Sequence, residues 1–167
     1  MLQNSKLNVI NRNKFNSEQI TLLNNLDSFS APYLEERLLD KGFLKNKDEY
    51  EEALIEFKKF IFISKLVDGK VGMTSEIVDE IWHQFILFTP QYHNFCKEVL
   101  GKYLHHSPHT SSTSIDDKKQ GTLNFVENYR SIFGEIPKIW NVSEDCSADM
   151  CGADKCSGCG NQCSKCD

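Results

Sequence analysis

Six of the seven cysteines in this chain, Cys146, Cys151, Cys156, Cys159, Cys163 and Cys166, fall in its final 22 residues. Thiols at that density are ligands for soft ions, and the spacing narrows the geometry. Cys156-Ser157-Gly158-Cys159 and Cys163-Ser164-Lys165-Cys166 are two CxxC pairs joined by three residues. That joint is too short for a zinc ribbon, whose knuckles sit on separate hairpins, so the four sulfurs would wrap a single site, with Cys146 and Cys151 extending the set. The Gly and Ser fillers permit such tight wrapping. Zn²⁺ or Cu(I) is the cofactor this donor set favours; an iron–sulfur cluster would lack the bacterial ferredoxin run. The same stretch has no aromatic residue after Trp140, and its apolar side chains are Val142, Ala148, Met150 and Ala153. Burial therefore cannot order it, and metal bonds, disulfides or a partner must. A cysteine-dense peptide also chelates soft metals incidentally, so purposeful and incidental binding both remain open.

A second group of ligand types lies upstream. All five histidines, His83, His93, His105, His106 and His109, fall between positions 83 and 109. At helical spacing Asp79 and His83 sit one turn apart on the flank of an apolar face formed by Ile77, Val78, Ile81, Trp82 and Phe85. A carboxylate placed so can orient the imidazole and leave its other nitrogen for a metal or a proton. Equally, the pair forms an ordinary helix-surface hydrogen bond. Cys96 shares a stripe with Tyr92, Phe95, Val99 and Tyr103, where a buried small hydrophobe is the plain reading. His105 and His106 follow a helix end, where positive charge suits the macrodipole. Taken together, His83, Cys96 and one of His105 or His106 make a candidate three-ligand zinc site, with Asp79 behind it.

The run Val78-Asp79-Glu80-Ile81-Trp82-His83, followed by Tyr92, Phe95-Cys96, Gly101 and His105-His106, resembles the glycine-rich-domain-containing-protein-like family. Its hallmark is an Asp-x-x-Trp-His helix, then a Tyr and a Cys, then a Gly leading to a His; the likeness spans about residues 48–109. Family tails are often Gly-rich or Gly-Cys-rich, and Cys156-Ser157-Gly158-Cys159-Gly160 is similar in kind. Plant members carry a second His where this chain has Phe85. The resemblance implies a helical fold and a site on these residues, and supplies no activity.

The elements that would carry these groups read as helices throughout. Ser17 is placed to cap a helix through Leu26, and Ser30-Ala31-Pro32 opens a second that stops at Lys41-Gly42. Asp48 with Glu51 resembles a capping box ahead of a long helix, whose Tyr50, Ala53, Leu54, Phe57, Phe60, Ile61 and Leu66 make it the central core element. Helices from about Ser75 to Phe88 and from Thr89-Pro90 to about Gly101 form a tight pair. The polar stretch of about 106–120 is expected to be a loop, before a last helix of about Leu123 to Phe133. The fold class is therefore all-α, a compact bundle of five or six helices over residues 1–140, followed by a Cys-rich tail, 141–167, that is disordered or metal-ordered. All eleven Phe and all five Tyr precede Trp140, which supplies the body with a core.

Charge and composition narrow the partners. The formal charge is −5, and without a basic stripe nucleic acid is not an expected partner. No apolar run reaches a membrane span and no secretory h-region is visible, so membrane association is not expected and a reducing cytoplasmic location is. There thiols stay free or metal-bound. No phosphate-binding Gly loop, Ser-His-Asp order or HExxH pair is present, so no catalytic residue is assigned. Three function classes survive. The preferred one is a helical binding or interaction protein with a soft-metal-binding tail and an unknown protein partner. The alternatives are a recognition domain whose Cys-rich tail is the substrate of a modifying enzyme, and a metal-dependent enzyme using the His83, Cys96 and His105 region.

Overall fold

A computed structural model describes residues 6–107 and 114–142 of the chain. His109 and the six tail cysteines lie outside the described residues. Those described form six α-helices and no strand: α1 (Ser17–Ser28), α2 (Pro32–Asp40), α3 (Lys47–Leu66), α4 (Glu76–Leu87), α5 (Thr89–Asn94) and α6 (Ile115–Phe133). None of them is long and apolar enough to cross a membrane.

The helix starts are set by side-chain caps, though not always the expected ones. Asn16, rather than Ser17, caps α1: its side chain accepts from the Gln19 amide while Gln19 reaches back to the Asn16 amide, a complete capping box. Asn46, rather than Asp48, caps α3 through the Glu49 amide at 2.9 Å. In both cases the asparagine lies upstream of the residue expected from sequence. Ser75, the expected start of α4, is its cap, and Pro90 sits in the first turn of α5 as expected.

The expected loop of 106–120 is corrected in its second half, because α6 already begins at Ile115. Ser114 Oγ accepts from the Asp117 amide at 3.0 Å, and Asp116 and Asp117 place negative charge at the positive end of the helix dipole. Residues 115–120 are all exposed, so the turn carries no apolar periodicity for a sequence pattern to register.

Helix α3 runs through the middle of the bundle, against α1, α2, α4 and α6. Its residues from Phe60 to Ile63 are buried on every side, which is how a core helix differs from an amphipathic surface one. Phe57 and Phe60 meet Trp82 of α4, and Phe60 also meets Phe125 of α6 and Trp140. Two charged residues on α3 are buried with partners. Lys58 donates to the carbonyls of Asp27 and Phe29 at the end of α1, and burial pushes its ammonium down to about 8. Glu56 accepts at Oε2 from the Tyr129 hydroxyl at 2.8 Å and from Trp140 Nε1 at 2.6 Å, and at Oε1 from Lys59 at 2.8 Å. This carboxylate thereby ties α3 to α6 and to the short 3₁₀ turn Lys138–Trp140. Gly72 lets the chain ahead of α4 pass against α6, its amide donating to the Gly121 carbonyl at 2.8 Å.

Candidate metal centre

Asp79 and His83 lie on the flank of α4, whose other face buries Val78, Ile81, Trp82 and Phe85. The facing wall is assembled from farther along the chain. Helix α5 passes into a π-helical turn, Phe95–Val99, and Gly101, at φ +70°, then reverses the backbone. The returning segment is fastened by one hydroxyl. Tyr92 accepts from Trp82 Nε1 at 3.0 Å and donates to the Leu104 carbonyl at 2.5 Å. Burial holds this phenol well above its ordinary range, so it remains a donor at every physiological pH. From there burial alternates, with Leu104 and His106 turned inward and Tyr103 and His105 outward.

His106 is thus laid onto α4. Its ring stands edge-on to Trp82, with centroids 4.5 Å apart, and 4.6 Å from the ring of His83. Its Nε2 lies 3.0 Å from Asp79 Oδ1, while His83 Nε2 lies 3.6 Å from Asp79 Oδ2. One carboxylate therefore sits between two imidazoles, each facing it with the same ring nitrogen. One ligand atom from each of Asp79, His83 and His106 lies within 4.8 Å of the others. Side-chain exposure grades from 11 % at His106 through 32 % at Asp79 to 44 % at His83, which gives the group a packed back and an open mouth.

The group differs from the sequence expectation in three respects. Asp79 was expected behind His83, but its carboxylate is itself one of the converging donors. Cys96 does not belong to the group: it is 1 % exposed, on the inward face of the α5 and π-turn segment near the Tyr92 hydroxyl, whereas His83 occupies the open flank of α4. His105 points outward onto the Tyr103 ring, centroids 4.8 Å apart. Glu80, absent from the expected set, has its Oε2 3.8 Å from His83 Nδ1. Its i,i+3 relation to His83 was the available signal.

Two imidazoles and a carboxylate are a donor set for zinc-class and other first-row divalent ions. Zinc sites with three protein ligands use this composition and keep further positions open. Tetrahedral zinc with bonds near 2.0 Å places its ligand atoms roughly 3.3 Å apart, beside the 3.0 and 3.6 Å between the imidazole nitrogens and the Asp79 oxygens here. The tight packing of Trp82 against His106, and the Tyr92 hydrogen bond to Leu104 behind it, fix the orientation of the His106 ring.

A family model described as UCP032817-like matches residues 12–129, more than two thirds of the chain, including Asp79, His83 and His106. No curated protein and no solved structure matches the chain at significant similarity.

Proposed function

The chain belongs to the UCP032817-like family, and from that footing we propose that it is a helical metal-binding protein. In this reading Asp79, His83 and His106 hold a divalent transition ion of the zinc class, and the thiol-rich tail supplies soft-metal ligands of its own. The observation that carries it is the convergence of two imidazole Nε2 atoms on one carboxylate, at 3.0 and 3.6 Å. A surface hydrogen bond between Asp79 and His83 would need no second histidine brought in from 27 residues away in sequence. The resemblance to the glycine-rich-domain-containing-protein-like family supports the same reading, since its hallmark residues have one joint task here. Trp82, Tyr92 and Gly101 hold the returning segment, Asp79, His83 and His106 form the group, and Cys96 fills the core behind it.

The test is metal uptake by the full chain with all six tail cysteines replaced by Ser, which isolates the histidine group. Isothermal titration with zinc is expected to give one equivalent, lost in the same protein carrying His83→Gln and His106→Gln. Unchanged uptake by the histidine variant would refute the assignment. Because the ligating imidazoles must be free of protons, uptake is expected to release protons and to weaken as pH falls.

A further inference from the structure

The two imidazoles of the group are held by different means. His106 is part-buried, with Trp82 packed edge-on against its ring, whereas His83 is exposed on the flank of α4. Packing therefore orients the inner ring, and the outer one needs another device. A line of polar side chains reaches it from α2. Arg37 Nε donates to Gln84 Oε1 at 3.0 Å, and Gln84 Nε2 donates to Glu80 Oε1 at 2.7 Å. The other oxygen of that carboxylate, Glu80 Oε2, faces His83 Nδ1 at 3.8 Å. Arg37, Gln84 and Glu80 are all part-buried.

Helical spacing accounts for the contact of Glu80 with Gln84, four residues on. It does not account for Arg37, which arrives from 47 residues away and occupies the amide oxygen, so that Gln84 turns its NH₂ end towards Glu80. The carboxylate is thereby fastened at one oxygen while the other is left for the imidazole. His83 then stands between two acids, with Asp79 Oδ2 3.6 Å from Nε2 and Glu80 Oε2 3.8 Å from Nδ1. A neutral imidazole carries one proton, and an ion on Nε2 leaves that proton on Nδ1. Glu80 is the negative group on that side, where a carboxylate favours the N–H and strengthens the donor at the opposite nitrogen.

Building on the metal-binding reading above, we propose that Glu80 is a positioning residue for His83: anchored through Gln84 to Arg37 of α2, it holds the exposed ring so that Nε2 is presented to an ion shared with Asp79 and His106. The line of side chains thus couples the seating of α2 on α4 to the geometry of the outer ligand.

Zinc calorimetry on the full chain with all six tail cysteines replaced by Ser tests this, alongside nitrogen-15 histidine NMR of the zinc-loaded protein, which reads which ring nitrogen carries the proton. Three variants are made in that parent. Glu80→Gln removes the charge and keeps the shape, Gln84→Leu leaves Glu80 in place without its anchor, and Glu76→Gln is the control. Glu76 is exposed on the same helix, about 10.5 Å along the axis from His83, beyond the screening length of about 8 Å at physiological salt. Glu80→Gln is expected to weaken zinc binding on the order of tenfold, and Gln84→Leu to weaken it less but in the same direction. Glu76→Gln should change it about twofold or less. In the parent, His83 is expected to carry its proton on Nδ1 with Nε2 on the metal. Unchanged affinity in Glu80→Gln or in Gln84→Leu, an equal loss in Glu76→Gln, or His83 bound through Nδ1 would each overturn the positioning role while leaving the histidine site standing. If the parent takes up no zinc, or its uptake survives His83→Gln and His106→Gln, the metal assignment itself falls and this role falls with it.

Discussion

Replacing Glu56 by alanine is expected to cost about 3–5 kcal/mol of folding stability, the range for removing one partner of a buried ionic cluster. The magnitude follows from what is left behind. Glu56 is 4 % exposed, and its carboxylate accepts hydrogen bonds from Tyr129, Trp140 and Lys59. Trp140 is fully buried, so its indole N–H would lose this partner at a desolvation cost of about 1–3 kcal/mol. The Tyr129 hydroxyl would still accept from Lys59 at 3.0 Å but would lose its acceptor, adding a similar penalty. Loss of side-chain packing adds a smaller amount. Glu56→Gln should cost less than alanine, because it preserves the shape and one acceptor oxygen while its amide meets the Lys59 ammonium. Urea denaturation followed by far-UV circular dichroism measures both variants, and fluorescence in a Trp82→Phe background isolates the Trp140 signal. A double-mutant cycle with Trp140→Phe should give a coupling on the order of 1–3 kcal/mol. Destabilisation below about 1 kcal/mol for Glu56→Ala, or additivity in the cycle, would refute the view that this carboxylate joins α3 to α6 and the Lys138–Trp140 turn.

Tyr92→Phe, which removes the hydroxyl between Trp82 and Leu104, is expected to lower stability by about 1–3 kcal/mol. It should also weaken zinc binding at the histidine group about tenfold, measured by calorimetry in the six-serine tail background. Gly72→Ala would place a Cβ 2.9 Å from the Gly121 carbonyl carbon and the Thr122 amide nitrogen, both backbone atoms. Its melting temperature should fall by the equivalent of about 1–3 kcal/mol of overpacking, with Gly121→Ala affected in the same direction. Lys58 makes stability depend on pH. Burial lowers its folded value to about 8 from an ordinary 10.5, so across that interval the unfolded chain holds a proton that the folded chain has released. Its contribution therefore rises with pH from 8 towards 10.5 and is lowest below 8. Relative to Lys58→Met, the natural protein should gain about 2 kcal/mol between pH 7.5 and pH 10 in matched urea titrations.

The helices and half of the Asp79, His83 and His106 group were determined by information local in the chain. Apolar spacing marks α3 and α4, Ser75 and Pro90 mark two of the helix starts, and the i,i+4 relation of Asp79 and His83 survives in any α-helix. Local information also held more than periodicity extracts from it. Along the extended stretch 103–107, alternation from an inward Leu104 turns His106 in and His105 out. The exposed first turns of α6 left no such trace, because helical turns packed against nothing need no apolar stripe. Tertiary structure decided the rest. Which histidine reaches α4 depends on the Tyr92 hydroxyl meeting a carbonyl twelve residues away, and Cys96 is set aside because its stretch of chain packs inward while His83 faces out. Glu56 looks in sequence like one more acid on a helix; only when Tyr129 and Trp140 arrive from 73 and 84 residues away does it acquire partners and become buried. The physical reason is common to these cases. A helix is specified by bonds among near neighbours, whereas a site is specified by which side chains are desolvated together, and that is settled when distant segments pack.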